Sequence, residues 1–179
     1  MKPIVILIGM ICYTISTLAQ VNYYITTRSF NENGYSYQCD VASSGMVTLY
    51  NKNNRWMYVS QVYKSSGKNF IMDDDCPDVI EYDTWVDPKC ESIVNNAFSA
   101  AEKRRVKGHG FHIGMYINSN TGKVDEIDFT FVNFGPFATI LISVYRKIEM
   151  EIKQNIWFVP TAEGKKLNYI LYWTEAEPQ

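Results

Sequence analysis

The chain has 179 residues, 46% of them hydrophobic and 20% charged, enough apolar material for one packed core of about 160 residues behind a short leader and too little chain for two large domains. Seventeen Lys and Arg against 19 Asp and Glu leave a net charge of −2, which lacks the basic footprint that phosphate-backbone binding needs and excludes nucleic acid as an expected partner. Aromatic residues reach 15%, with 13 Tyr, a composition that favours half-buried sheet.

Met1-Lys2-Pro3 places one side-chain charge before the apolar run Ile4 to Ile11, and Thr17-Leu18-Ala19 sets small side chains three and one residues before Gln20. A signal peptidase reads this order, so residues 1–19 are expected to be a signal peptide cut between Ala19 and Gln20. The apolar run falls short of the roughly 20 residues of a spanning helix, which disfavours a retained anchor. Large Ile11 before Cys12 disfavours lipoprotein processing. The product is then periplasmic or secreted. Export would carry Cys39, Cys76 and Cys90 into an oxidising space, where the short loop makes Cys76 with Cys90 the expected disulfide and leaves Cys39 a buried thiol. Their spacing is not a zinc pattern.

Residues 20–86 read as a strand-rich N-terminal region. Tyr35 to Val41 alternates as a strand between turns at Asn31–Gly34 and Ser43–Gly45. Met46–Tyr50 and Arg55–Ser60 are expected to form a hairpin around Asn51–Asn54, because Asn tolerates the left-handed backbone of tight turns. Lys64–Lys68 is a loop; Val62 and Asn69 stand where a phosphate-binding loop needs Gly and Ser or Thr. Seven acids between Asp73 and Asp87 have the density of a calcium site, but Pro77 breaks the alternating ligand pattern, and a solvated acidic loop is the reading preferred.

Asp87-Pro88 is expected to open a helix, Asp capping and Pro at the first helical position. Cys90, Ile93, Val94, Ala97, Phe98 and Ala101 form its apolar stripe, Lys103-Arg104-Arg105 suit the negative end of the helix dipole, and Gly108 stops it. Phe111, Ile113, Met115 and Ile117 then alternate with His112, Gly114 and Tyr116 in a half-buried strand. Asn118–Gly122 turns the chain into a returning strand carrying Ile127, Phe129 and Phe131. Pairing Ile117 with Lys123 sets His112 opposite Asp128, and a slip of two sets it opposite Glu126 or Thr130. A second helix spans about residues 139–155, with Leu141, Val144, Tyr145, Ile148 and Ile152 inside and Arg146, Lys147, Glu149 and Lys153 outside. Ile156–Pro160 is extended, and Leu167–Trp173 closes as a strand.

The strand Phe111–Ile117, the Thr121-Gly122 turn, a helix ending in Trp157-Phe158-Val159-Pro160, then Gly164 and a final strand resemble the C-terminal domain of TonB-type proteins. The resemblance covers about residues 88–174 and implies an α+β architecture. An α-β-β-α-β unit over 87–174, its helices on one face of a small antiparallel sheet, would follow the N-terminal hairpin region, with 175–179 as a tail. No Pro-rich linker is present, and Val132–Pro136 replaces the Ser-Ser-Gly-like segment often found in that family, so fold and envelope location are implied and energy transduction is not. The resemblance also implies β-augmentation by the last strand, through Leu167, Tyr169, Leu171 and Trp173, toward a protein or peptide partner.

Nucleophile-elbow and H-E-x-x-H patterns are absent, and no cofactor or metal motif stands out. The preferred reading is a non-enzymatic interaction module of the cell envelope. The alternative is a small acid–base hydrolase using His112 and Asp128, with Tyr116 on the same face. Trp56, Tyr58 and Tyr63 are weighed as ring platforms for sugar or peptide against ordinary sheet packing, which is preferred.

Overall fold

The computed structural model describes residues 21–72, 76–81 and 83–179. The leader with its Ala19/Gln20 junction and the acids Asp73, Asp74 and Asp75 lie outside the described residues. Among the described residues one six-stranded antiparallel sheet runs in the order β1-β2-β3-β5-β4-β6. Its strands are β1 (Arg28–Glu32), β2 (Tyr35–Val41), β3 (Met46–Asn51), β4 (Phe111–Ile117), β5 (Val124–Val132) and β6 (Ile170–Ala176), joined by helices α1 (Val86–Ala97), α2 (Ala100–Val106) and α3 (Ile142–Asn155). The mixed α+β class is as expected. The strand-rich region and the segment after residue 87 share this sheet, because β3 pairs with β5.

Asn33 (φ 46°) and Gly34 (φ 80°) form the two-residue turn between β1 and β2, where both central positions need left-handed backbone. The expected hairpin of Met46–Tyr50 with Arg55–Ser60 does not form. The chain does turn at Asn51, whose carbonyl accepts from the Asn54 N–H at 2.9 Å, but Arg55–Ser60 leaves the sheet. β5 takes the free edge of β3 instead, setting Val47 against Phe131 and Leu49 against Phe129. This pairing continues an apolar stripe across the sheet, whereas the Arg55 and Trp56 N–H groups are taken by the Glu126 carboxylate.

The first helix starts two residues earlier than expected, at Val86 rather than Pro88, and Asp87 is not its cap; its carboxylate accepts from the Tyr172 hydroxyl at 2.8 Å. The helix also breaks at Phe98-Ser99, because Ser99 and Glu102 form a reciprocal capping box that starts α2. Phe98 turns its ring onto Phe111 and Phe137, and Ala101 is exposed rather than part of the stripe.

β4 is buried on both faces from Ile113 onward, not half-buried. Its register against β5 is the slipped one: His112 faces Thr130 and Gly114 faces Asp128, with Ile117 against Val124 and an irregularity between Tyr116 and Ile117. The turn is one residue longer than the tight version, and the bulge adds the second residue of slip. The His112–Asp128 cross-strand pair therefore does not exist.

Val144, Tyr145, Ile148 and Ile152 face the core from α3. Two assignments on this helix are corrected. Leu141 is exposed at the N-cap, and Glu149, expected outside, is 1% exposed. Tyr145 shows which sheet face the helices cover, since its ring meets Phe111, Phe129 and Phe131. Cys39, Cys76 and Cys90 are free thiols, so the Cys76–Cys90 bridge is absent. Cys90 is one of the inward residues of α1 with Ile93 and Val94, packed into the core. The last strand starts at Ile170; Leu167 instead closes a 3-10 turn over Gly164–Lys166.

Phe158 closes α3 onto the sheet: it is buried, its N–H donates to the Gly122 carbonyl at 2.8 Å, and its ring packs on Tyr172. A side chain at Gly122 (φ 75°) would collide with the Phe158 carbonyl and press on Pro160.

Candidate functional site

The sheet face opposite the helices collects His112, Tyr116, Asp128, Leu171 and Trp173 from the residues singled out in the sequence. Strand pairing places Asp40, Thr48, Thr130, His112 and Glu175 in one row across β2, β3, β5, β4 and β6. The next row is Gln38, Tyr50, Asp128, Gly114 and Trp173, followed by Glu126, Tyr116 and Leu171. Alternation along each strand produces this face: Val47 and Leu49 of β3 and Ile127, Phe129 and Phe131 of β5 go to the core, and the polar and aromatic residues between them come here.

Residues 52–60, of which Arg55–Ser60 are expected from sequence to be a strand, lie over one end of this face. The Glu126 carboxylate accepts from the Arg55 and Trp56 N–H groups at 3.0 and 2.9 Å, and the Asn54 amide donates to the Ile127 carbonyl at 2.8 Å. The Trp56 ring packs on Tyr169 with centroids 5.0 Å apart. At the far end of the loop the Tyr58 and Tyr50 hydroxyls both donate to Asp40 Oδ2, at 2.8 and 2.9 Å, while Gln38 donates to Oδ1 at 2.8 Å. Asp40 and Glu126 are thus clamps that fasten the loop to the sheet. Burial first, and the Asp40 carboxylate second, push the Tyr58 hydroxyl up to about 12.

Asp128 is buried at the centre of the face and leans into the space that Gly114 leaves by lacking a side chain; a Cβ there would collide with its carboxylate. Burial raises its pKa above the ordinary value, opposed by hydrogen bonds from Tyr116 and Thr130. The structure therefore joins Asp128 to Tyr116 but not to His112. His112 is exposed, with Thr130 and Glu175 as its cross-strand neighbours, and the acid–base dyad of the hydrolase alternative is not assembled.

The four residues expected on the partner strand divide in two. Leu167 and Tyr169 are buried before β6 begins and are tied to the preceding loop: Tyr63 bridges Leu167, and the Tyr169 hydroxyl donates to the Val59 carbonyl at 2.5 Å. Neither is available to a partner. Leu171 is partly buried and Trp173 is 62% exposed, both on the helix-free face. Of the ring platforms considered, Trp56 packs on Tyr169 and Tyr63 on Phe70, while Tyr58 is 70% exposed. Among the described residues no helix is long and apolar enough to cross a membrane, and no three His, Cys, Asp or Glu side chains are grouped to hold a metal ion.

The family described as a domain of unknown function, DUF5043, matches residues 20–173. The chain belongs to this family. A crystal structure of a DUF5043 family protein from Bacteroides uniformis ATCC 8492, at 1.85 Å resolution, is 41% identical, covers 88% of each chain and superposes with a TM-score of 0.83. No curated protein matches. The DUF5043 match runs unbroken from before β1 into β6, as the single sheet does.

Proposed function

We propose that this DUF5043 protein is an exported, non-enzymatic interaction module that engages a protein or peptide partner through the β6 end of its helix-free face. The observation that carries the reading is Trp173, 62% exposed on a strand at the end of the sheet, with side-chain-free Gly114 beside it on β4. An exposed tryptophan on the last strand of the sheet suits an anchor contact, since large rings dominate interface energies. The TonB-type resemblance supports the same end of the sheet, its last strand being the partner strand there; here Leu171 and Trp173 fit that role. The start of the DUF5043 match at Gln20 accords with a mature chain beginning behind Ala19.

Photo-crosslinking tests the proposal. A photoreactive residue at position 171, with Trp173 retained, is expected to give one discrete adduct in the producing cells. Trp173→Ala should abolish the adduct without lowering the melting temperature. An adduct that survives Trp173→Ala, or none at all, would remove β6 as the interface. Mass spectrometry of the exported chain is expected to find Gln20 at its N-terminus, and Met1 there would refute cleavage.

A further inference from the structure

A cleft of about 490 Å³ opens at the end of the sheet, away from Trp173, where β3 runs into the Asn51–Arg55 turn and faces α3. Its two sides carry opposite charge. On the α3 side Glu149 is 1% exposed and stands between two cations, Arg146 Nη1 at 2.9 Å and Lys153 Nζ at 3.6 Å. The Tyr37 hydroxyl donates to the same carboxylate, and the Asn51 amide donates to it at 3.4 Å. One carboxylate facing two cations leaves this side with a positive charge in excess. Tyr37, Asn51 and Arg146 keep the Glu149 carboxylate partnered when Lys153 is replaced.

The other side is the reverse. Arg55 alone stands against Asp125 at 3.7 Å and Glu126 at 3.5 Å, leaving a negative charge in excess. Arg55 is largely in solvent, where such long contacts are screened, whereas Glu126 is buried and fixed by two backbone N–H groups. A simple anion or a simple cation would meet one matching and one opposing side. A small molecule that carries both charges matches both sides.

We propose that this cleft binds a small zwitterion of the α-amino acid class, its carboxylate toward Arg146 and Lys153 and its ammonium toward Asp125 and Glu126. The volume falls in the range of small-molecule sites. Blocking both charges of the ligand removes the match, so recognition reads the free amino acid and not a residue inside a chain.

Calorimetric titration of the exported chain with glycine, L-alanine and L-glutamine is the test, with acetate, methylammonium and N-acetyl-L-glutamine amide as controls. At least one free amino acid is expected to bind saturably, with the three controls about tenfold weaker or more. Lys153→Met and Asp125→Asn, both at partly exposed side chains, should each weaken that binding by a similar factor in protein that still unfolds in one cooperative transition. Amide chemical-shift changes are expected at Asn53 and Lys153 and not at Trp173. Acetate binding as tightly as the amino acids would overturn the proposal in favour of an anion site. So would the absence of saturable binding by all three amino acids, or binding that neither substitution affects. None of these results bears on the Trp173 interface.

Discussion

Tyr58 holds a left-handed backbone, φ 62°, while its hydroxyl donates to Asp40 Oδ2 at 2.8 Å. A bulky side chain in that conformation costs roughly 1–2 kcal/mol, so the loop must be held by contacts that outweigh it. The shared Asp40 acceptor and the edge-on contact of the Tyr58 and Tyr50 rings, 6.0 Å between centroids, are two of them. Tyr58→Phe keeps the ring and deletes the donor, and Asp40 keeps Tyr50 and Gln38. Urea unfolding is expected to show a loss of about 0.5–1.5 kcal/mol. An unchanged midpoint would show that the bond contributes nothing to closing the loop.

The contrast between Phe158 and His112 tests the placement of the second half of the chain. Phe158 is buried against Tyr172 and Gly122, and Phe158→Ala should cost roughly 3–5 kcal/mol. His112 is exposed on the helix-free face, and His112→Ala should stay within roughly 0.5 kcal/mol of the parent. Denaturant unfolding giving the opposite order would mean that β4 presents the other face.

Local pattern made β2, β4, β5 and most of the inner stripe of α3 legible, because in each the core-facing apolar side chains recur at the strand or helix period. Long-range choices were not legible. The Trp56/Tyr58 alternation imitates a strand, and only the competition for the edge of β3, won by Phe129 and Phe131, shows that it is a covering loop. The β4–β5 register depended on one bulged residue that alternation cannot locate. Glu149 carries a positional signal: it lies four residues after Tyr145 and three before Ile152, on the stripe itself, where a buried carboxylate is satisfied by Tyr37, Asn51 and Arg146. Asp128 was recognised as a residue of interest, but with His112 as partner instead of Tyr116 and Thr130.

The cysteines give a chemical test of the corrected disulfide assignment. Burial first, then nearby carboxylates, push the Cys90 thiol up to about 12, and burial with the Asp40 charge pushes Cys39 up to about 11, so neither forms much thiolate at neutral pH. Cys76 is partly exposed. Alkylation of the native protein is expected to label Cys76 fastest, and denaturation without reductant should release all three thiols. Only Cys39 labelled after denaturation would restore the Cys76–Cys90 bridge.

The pH dependence of stability follows from Asp128. Burial lifts its pKa above the ordinary 3.8 more strongly than the Tyr116 and Thr130 bonds lower it. The folded state therefore holds this proton more tightly than the unfolded chain does. Its contribution to stability is complete below the unfolded value and is lost as pH rises through the folded one, since over that window the folded protein binds more protons. Burial likewise raises Glu149, so the two act in the same direction. Asp128→Asn keeps an acceptor for the two hydroxyls and removes the titration. Relative to that variant, the parent should lose stability as pH rises above the ordinary carboxylate value and level off once Asp128 is ionised in the folded state. Tyr116→Phe removes a bond that favours the ionised form, which should carry Asp128 higher still and move the window upward in pH. Urea midpoints across this range, paired with the titration of the Asp128 carboxyl carbon by NMR, measure both effects. A parent that gains stability over Asp128→Asn with rising pH would mean that the hydroxyl bonds outweigh burial at this position.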